Sequence, residues 1–419
     1  MQPWQMSLTR RHILCQEVMV SRRADLTFIY NRAQGRHGWV RLTPAYSVKM
    51  VENLLDANPS ISYVLDPFAG TGTTGLVCGS RGLNCDLFDI NPFLIWLGKV
   101  KTGNYPSQLL DQVRRAAARI VEEARHVSET SLWIPPISNI ERWWTQHRLN
   151  VLAKLFHALS RQLPEDSPAK DLLLVAFCRL IIQWSNAAFN HQSMSFKDEG
   201  TLLLRFDEED EIYQSYLAAV QAVISTARQP ISGRVEAQFH DSRYIHAPDD
   251  RLYDCVITSP PYPNRMSYIR ELRPYMYWLG YLKDGREAGE LDWEAIGGTW
   301  GIATSRLQAW EGQEPSIPEL RQIIAEIADH STILANYVHR YFADISQHLE
   351  SLYRSVSPGA RLYYIVGNSK FYDTLVPVET LYASIMQQCG YTEARVEPIR
   401  KRSSKRELFE FIVSAKKPV

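Results

Sequence analysis

Tyr63-Val64-Leu65-Asp66-Pro67-Phe68-Ala69-Gly70-Thr71-Gly72-Thr73-Thr74 is the stretch on which the fold turns. Its first four residues read as a short buried strand, the next as a glycine-rich turn, and Thr74 to Gly82 as a helix. Asn84 to Asp89 (NCDLFD) then reads as a second strand that ends on an acid. A strand, turn, helix and strand with that acid is the pattern of a mononucleotide-binding half. Small residues after the strand let backbone N–H groups and a helix N-terminus come close to a ligand. Phe68-x-Gly70-x-Gly72 lacks the third glycine of the dinucleotide fingerprint, and no Gly-Lys-Ser/Thr follows, which disfavours a nucleoside triphosphate.

Working outward, Val235 to His240 is a third strand candidate ending at Asp241, and Tyr253 to Thr258 a fourth that runs into Ser259. Arg361 to Val366 follows a Pro358-Gly359 turn, and Glu393 to Ile399 and Leu408 to Ala415 flank a basic turn as a terminal hairpin. The expected fold is therefore α/β: a doubly wound, mostly parallel seven-stranded sheet with a C-terminal hairpin. Asp89 and Asp241 stand 152 residues apart, whereas a strand, helix, strand unit needs only ~30. The excess is expected to be a helical insertion, since Gln108 to His126, Ile140 to Leu163 and Lys170 to Phe189 carry apolar residues at helical spacing. Three regions follow: 1–100, a cofactor half; 101–232, the insertion and candidate target-recognition region; and 233–419, a catalytic part with a small insertion near 284–318.

Composition narrows the class. The 419 residues are 45% hydrophobic and 11% aromatic, enough for a large core. Lys plus Arg and Asp plus Glu are both 46, so any phosphate binding must come from local clusters. Six scattered cysteines without a C-x-x-C pair fit neither a zinc site nor a disulfide framework, and His191, His240 and His246 lack metal-ligand spacing; no metal is assigned. The first fifteen residues have no apolar h-region, and the longest apolar stretch, Leu172 to Ile182, contains Arg179. No membrane segment and a cytoplasmic location are expected.

The chemistry sits in two places. The Gly/Thr turn suits a pyrophosphate cofactor or the methionine moiety of S-adenosylmethionine, with Asp89 placed to accept from both ribose hydroxyls and Asp241 from an adenine amine. A helix N-cap or loop carboxylate is the plainer reading of each acid taken alone. Ser259-Pro260-Pro261-Tyr262 suits methylation of an exocyclic amine. Such a nitrogen is a poor nucleophile because its lone pair is delocalised into the ring. A Ser259 hydroxyl and the Pro260 carbonyl can accept its two hydrogens and localise that pair, with Pro260 and Pro261 stiffening the turn. Tyr262 offers a face on which an extruded base can stack. No covalent intermediate is required, and Cys255, inside a strand, reads as a small core residue.

Further candidates lie outside these loops. Arg400, Arg402 and Lys405 belong to a run of five cations in seven residues, either a solvated turn or a phosphate grip. Arg265 and Arg270 follow the amine loop, and the aromatics around them read as core or as groove lining. Asn186 to Lys197, with His191, offers groups for base-edge contacts or a satisfied loop network.

These segments resemble the S-adenosylmethionine-dependent, amino-methylating DNA methyltransferases, in particular the cytosine-N4 group. The resemblance runs through VLDPFAGTGTT (64–74), LFDINPF (87–93), FHDSRYI (239–245), DCVITSPPYPNRMSYI (254–269), RLYYIVGNSKF (361–371) and RKRSSKRELFEFIVSAKK (400–417). HGWVRLTPAYSVKMVENLL (37–55) looks like the segment that packs over the methionine end of the cofactor. The resemblance implies a cofactor site at Asp66, Phe68, Gly70, Gly72, Thr73, Asp89 and Asp241, with Thr43 and Pro44, and a base site at Ser259, Pro260, Pro261 and Tyr262. It further implies a double-stranded DNA substrate and a restriction or defence system with cognate proteins. Serine at the first position looks like the cytosine-N4 variety, since adenine-N6 enzymes usually carry Asp or Asn there. The long insertion departs from the compared arrangement, in which target recognition usually follows the strand that ends at Asp241. Other readings are an adenine-N6 enzyme, an RNA guanine-N2 methyltransferase with a similar Pro-Pro-aromatic turn, or a non-catalytic DNA-binding subunit.

Overall fold

The computed structural model describes residues 23–42, 45–130, 132–188, 195–196, 208–247, 251–299, 302–402 and 407–419. Seven strands form one sheet: β1 (Tyr63–Asp66), β2 (Asn84–Asp89), β3 (Val235–Phe239), β4 (Tyr253–Thr258), β5 (Val356–Gly367), β6 (Thr392–Lys401) and β7 (Phe409–Lys416). Their spatial order is β6-β7-β5-β4-β1-β2-β3. All pairs from β3 across to β5 are parallel, and β7 runs antiparallel to both β5 and β6. Val64 and Leu65 of β1, and Cys255, Val256 and Ile257 of β4, have no solvent exposure. Such continuous apolar runs are what a parallel strand covered on both faces requires.

Chain order reverses direction between β1 and β4, so the loops after these strands diverge and leave a crevice at the carboxyl ends. Asp66, Asp89 and Ser259 all lie at or just past those ends. The two loops anticipated as chemical are therefore neighbours, although 184 residues of chain separate Thr74 from Ser259.

Helices cover both faces of the sheet: α1 (Val48–Asp56), α2 (Thr73–Ser80) and α3 (Pro92–Thr102) belong to the first half. Between β2 and β3 the chain then forms α4 (Ser107–His126), α5 (Gln146–Gln162), α6 (Pro168–Gln183) and α7 (Glu208–Ala227). Two expected boundaries shift. The helix anticipated from Ile140 begins as a 3-10 turn at Ile140–Arg142, and α5 starts only at Gln146, where the Thr145 hydroxyl accepts from Arg148 N. The one anticipated to Phe189 stops at Gln183, and Ala187–Ala188 instead pairs with Ser195–Phe196.

The core of the α4–α7 block is shared with α3 and with buried residues between Ile269 and Ala288. Trp278, at the end of α8 (Tyr268–Trp278), meets Trp144, Phe156 and Phe177 edge-on at 5.9, 5.6 and 5.3 Å between ring centroids. A buried Arg36 completes the joint. Its guanidinium donates to the carbonyls of Lys101 and Gly103 at the end of α3, and to those of Thr226, Ala227 and Gln229 at the end of α7. Helix C-termini leave carbonyls without partners, and one planar cation satisfies two such ends here. Of the later helices, α9 (Gly285–Glu294) joins the core of the α4–α7 block through Ala288, whereas α10 (Ile302–Gln308), α11 (Pro318–Ala328), α12 (Thr332–Ser355) and α13 (Val378–Gln388) share a core with β4 and β5. No helix among the described residues is long and apolar enough to cross a membrane.

Candidate active site

The turn after β1 is shaped by two glycines in left-handed backbone, Gly70 (φ +49°) and Gly72 (φ +74°), a region that side chains other than glycine seldom adopt. A Cβ on Gly70 would stand 3.9 Å from both Leu42 Cδ2 and the Phe68 carbonyl. The turn is pinned by neighbours in the sequence. Ala69 N donates to Phe88 O at 2.9 Å, and Gly70 N to Asp89 Oδ2 at 3.0 Å. From below, the buried Lys101 ammonium donates to Thr71 O at 2.9 Å, and burial pulls its pKa down to about 7. Asp66 is fully buried: it accepts from Tyr46 Oη at 2.8 Å and Thr258 Oγ1 at 2.6 Å, and so ties β1 to β4 and to the segment before α1.

Above the turn is a cleft partly open to solvent. Leu42, Tyr46, Phe68, Gly70, Thr71 and Thr73 line one side. Asp89, Asp241, Ser242 and Ile296 line another, and Ser259, Pro261, Tyr268 and Ile269 a third. Asp89 takes one backbone N–H on each oxygen, from Gly70 and from Asn91 (2.9 Å). Each oxygen keeps a lone pair for a further donor. Burial pushes this carboxyl up to about 6, against the pull of the Asn91, Gly70 and Ile90 amides.

Asp241 combines its two readings. It lines the cavity, and it also caps the short turn Ser242–Tyr244 through Arg243 N at 3.0 Å. Burial would raise its pKa, but the Arg243 guanidinium, donating to both oxygens, carries it below the ordinary carboxylate range. Arg243 also reaches Glu294 O at 2.9 Å, holding the end of α9 over the cavity.

The loop after β4 is held from far along the chain. Ser259 Oγ donates to Ile365 O at 3.0 Å, and Tyr262 Oη donates to Glu410 Oε1 at 3.0 Å. Tyr341 Oη donates to Pro261 O at 2.8 Å, and Tyr268 Oη accepts from Tyr262 N at 3.3 Å. The Pro260 carbonyl accepts from no group among the described residues. Arg400 clamps Glu410 through Nε at 2.7 Å and Nη2 at 3.0 Å. Arg402 lies 4.9 Å from the Tyr262 ring centroid and donates to Asn368 O at 2.7 Å.

The anticipated residues thus divide. Phe68, Gly70, Thr73, Asp89, Asp241, Ser259 and Pro261 share the cavity, whereas Asp66, Gly72, Pro260 and Tyr262 support it without lining it. Arg265, at φ +64°, and Arg402 line a neighbouring polar hollow with Asn264 and Lys370, while Arg270 is exposed on α8. Thr43, Pro44, His191 and Lys405 lie outside the described residues. Tyr46, Glu294 and Glu410 were not anticipated, and Tyr268, read as core or as groove lining, instead lines this cavity. Of the first three only Tyr46 carried a signal, as part of the segment placed over the cofactor. Cys255 is buried in β4, and burial drives its thiol pKa up, so it remains a core thiol.

No family model matches the chain. Curated relatives do. The type II methyltransferase M.BsoBI of Geobacillus stearothermophilus is 22% identical over 438 residues, covering 93% of this chain and 85% of its own. M.AvaI of Nostoc sp. is 20% identical, covering 89% and 83%, and M.MvaI of Kocuria varians is 20% identical, covering 87% and 84%. This chain is a relative of the type II methyltransferases. With 93% of the chain inside the first of these matches, the α4–α7 block falls largely within it. Among solved structures, the rRNA methyltransferase aviRa of Streptomyces viridochromogenes overlaps at a TM-score of 0.28 and 12% identity, covering 89% of this chain and 86% of that one.

Proposed function

We propose that this chain is a site-specific DNA methyltransferase of a restriction-modification system, and that it methylates the exocyclic N4 amine of a cytosine extruded from the duplex. The observation that carries this reading is the shared cavity: Asp89 and the Gly70 turn open onto the same space as Ser259. A ligand bonded to Asp89 and a base amine bonded to Ser259 would meet there.

S-adenosylmethionine supplies a methyl group on a positively charged sulfur. The residues present fit it. Asp89 has a free acceptor on each oxygen for the ribose hydroxyls, Phe68 and Ile296 offer apolar faces, and Leu42, Tyr46 and the Gly70 turn leave room for the amino-acid end.

On the amine side, the single proton of Ser259 points at Ile365 O, so its remaining lone pairs are acceptors. The Pro260 carbonyl is a second acceptor. Together they would draw the amine toward tetrahedral geometry, with its lone pair aimed at the methyl carbon. Methyl transfer would form the N–C bond as the donor's S–C bond breaks, and the surplus amine proton would pass to solvent. The α4–α7 block, within 101–232, is our candidate for reading the DNA sequence, and Arg265, Arg270 and Arg402 are candidates for phosphate contact.

Incubating the protein with labelled S-adenosylmethionine and unmethylated genomic DNA, followed by nucleoside mass spectrometry, is expected to yield N4-methylcytosine. N6-methyladenine would overturn the choice of base. Label in RNA with none in DNA would overturn the substrate class.

A further inference from the structure

The Tyr262 hydroxyl has one proton and two oxygens within reach of it. Glu410 Oε1 is 3.0 Å away and Ser259 Oγ is 3.4 Å away. The carboxylate is the stronger acceptor, and Arg400 fixes it with two bonds in a place where Glu410 is only 6% exposed. Ser259 has already directed its own proton to Ile365 O. The contact between Ser259 and Tyr262 therefore holds no proton while Glu410 is present. Without Glu410 the acceptor left to the Tyr262 proton among the described residues is Ser259.

We infer that Glu410 is a positioning residue: it holds the Tyr262 proton away from Ser259, so that neither of the serine's two lone pairs is taken before the substrate amine arrives. The inference rests on the amine-methylating reading of the site. Its reach is wider than one hydrogen bond, because it makes the C-terminal hairpin part of the machinery. Glu410 enters at the start of β7 and Arg400 near the end of β6, opposite each other in the register of the hairpin. The pairing that builds this edge of the sheet thus also sets the acceptor for Tyr262. Burial raises the phenol's pKa well above its ordinary value, so the proton is present throughout the working range and must be placed somewhere. Arg402, stacked on the ring and anchored to Asn368 O, restricts the swing of the ring.

The test is a rescue. Methyl transfer to unmethylated genomic DNA is measured with the full chain carrying Glu410→Leu, Glu410→Gln and Tyr262→Phe, singly and as the two pairs that combine a Glu410 change with Tyr262→Phe. Glu410→Leu is expected to lower kcat on the order of 10- to 100-fold, with the affinity for S-adenosylmethionine within about twofold of the parent. Adding Tyr262→Phe, which removes the misdirected proton, is expected to return kcat to the level of Tyr262→Phe alone. A merely structural role for Glu410 predicts no recovery, and that result would overturn the inference, as would a Glu410→Leu chain with undiminished kcat. If Glu410→Leu does not fold, the near-isosteric Glu410→Gln is expected to show a smaller loss, again removed by Tyr262→Phe, and the absence of either effect counts against the inference. A parent chain that transfers no methyl group to DNA would instead sink the proposed function. In that event 3-fluorotyrosine at position 262 still decides whether Glu410 holds the hydroxyl: an unchanged fluorine shift on Glu410→Gln would refute it.

Discussion

The two loops that face each other across the cavity are built in opposite ways. The turn after β1 is held chiefly by residues close in sequence: Phe88 and Asp89 bond Ala69 and Gly70, and Lys101 bonds Thr71, with the Ser242 hydroxyl on Pro67 O as the long-range addition. The loop after β4 is held by residues that arrive much later: Tyr341 bonds Pro261, Ile365 bonds Ser259 and Glu410 bonds Tyr262. A turn supported by its own supersecondary unit can form with that unit. A loop supported by β5, α12 and β7 gets its geometry only when the sheet is complete. On this comparison, damage to the first loop should fall on ligand binding, and damage to the second on turnover.

The largest expected effect tests the second half of that contrast. Ser259→Ala removes one of two acceptors for the amine and is expected to lower kcat on the order of 100-fold or more, the range found when one preorganised polar group is deleted from a reacting centre. Cofactor affinity, measured by calorimetry, should stay within about twofold of the parent. The next effect tests the first half. Asp89→Ala removes the acceptor for two hydroxyls and also the partner of Gly70 N and Asn91 N, and is expected to weaken S-adenosylmethionine binding by about 10- to 100-fold. At saturating cofactor its kcat should recover most of the parent value. Equal losses of affinity and turnover in both variants would break the division between the loops.

The same contrast explains how much could be read from the chain before its structure. Tyr63–Asp66, the glycines and Asp89 lie within one local unit, so pattern alone places them. Ser259-Pro260-Pro261-Tyr262 was legible as a motif, but its partners were not. Glu410 sits in FEFIVSAK, which reads only as a strand, and nothing in that alternation says that its carboxylate meets Tyr262. Arg36 was silent for the same reason: its five carbonyl partners come from the ends of α3 and α7, and carbonyls leave no mark in a sequence. The α4–α7 helices were visible by periodicity, yet the packing of α8 into their core through Trp278 was not, because an aromatic at helical spacing does not say which helix it meets.

A smaller effect separates the contributions of Asp89 to binding and to stability by their sign. Burial raises this carboxyl to about 6 in the folded protein, from about 3.9 in an unfolded chain. A raised folded pKa adds stability that is fully present below the unfolded value and is lost as pH rises through the folded one. The ligand-free protein should therefore gain stability from Asp89 between pH 7 and 5. Cofactor binding should move the other way, because the ribose hydroxyls need the ionised carboxylate; below pH 6 the apparent affinity should fall by about tenfold per unit. Burial pulls the neighbouring His348 down to about 4, and Arg243 holds Asp241 below the carboxylate range, so neither titrates in this window. Asp66 is also raised by burial, so Asp89→Asn is the deciding control. It should flatten the affinity profile between pH 5 and 7 and leave weaker, pH-independent binding, whereas a profile that keeps its slope would move the titration to Asp66 and end the assignment of the ribose hydroxyls to Asp89.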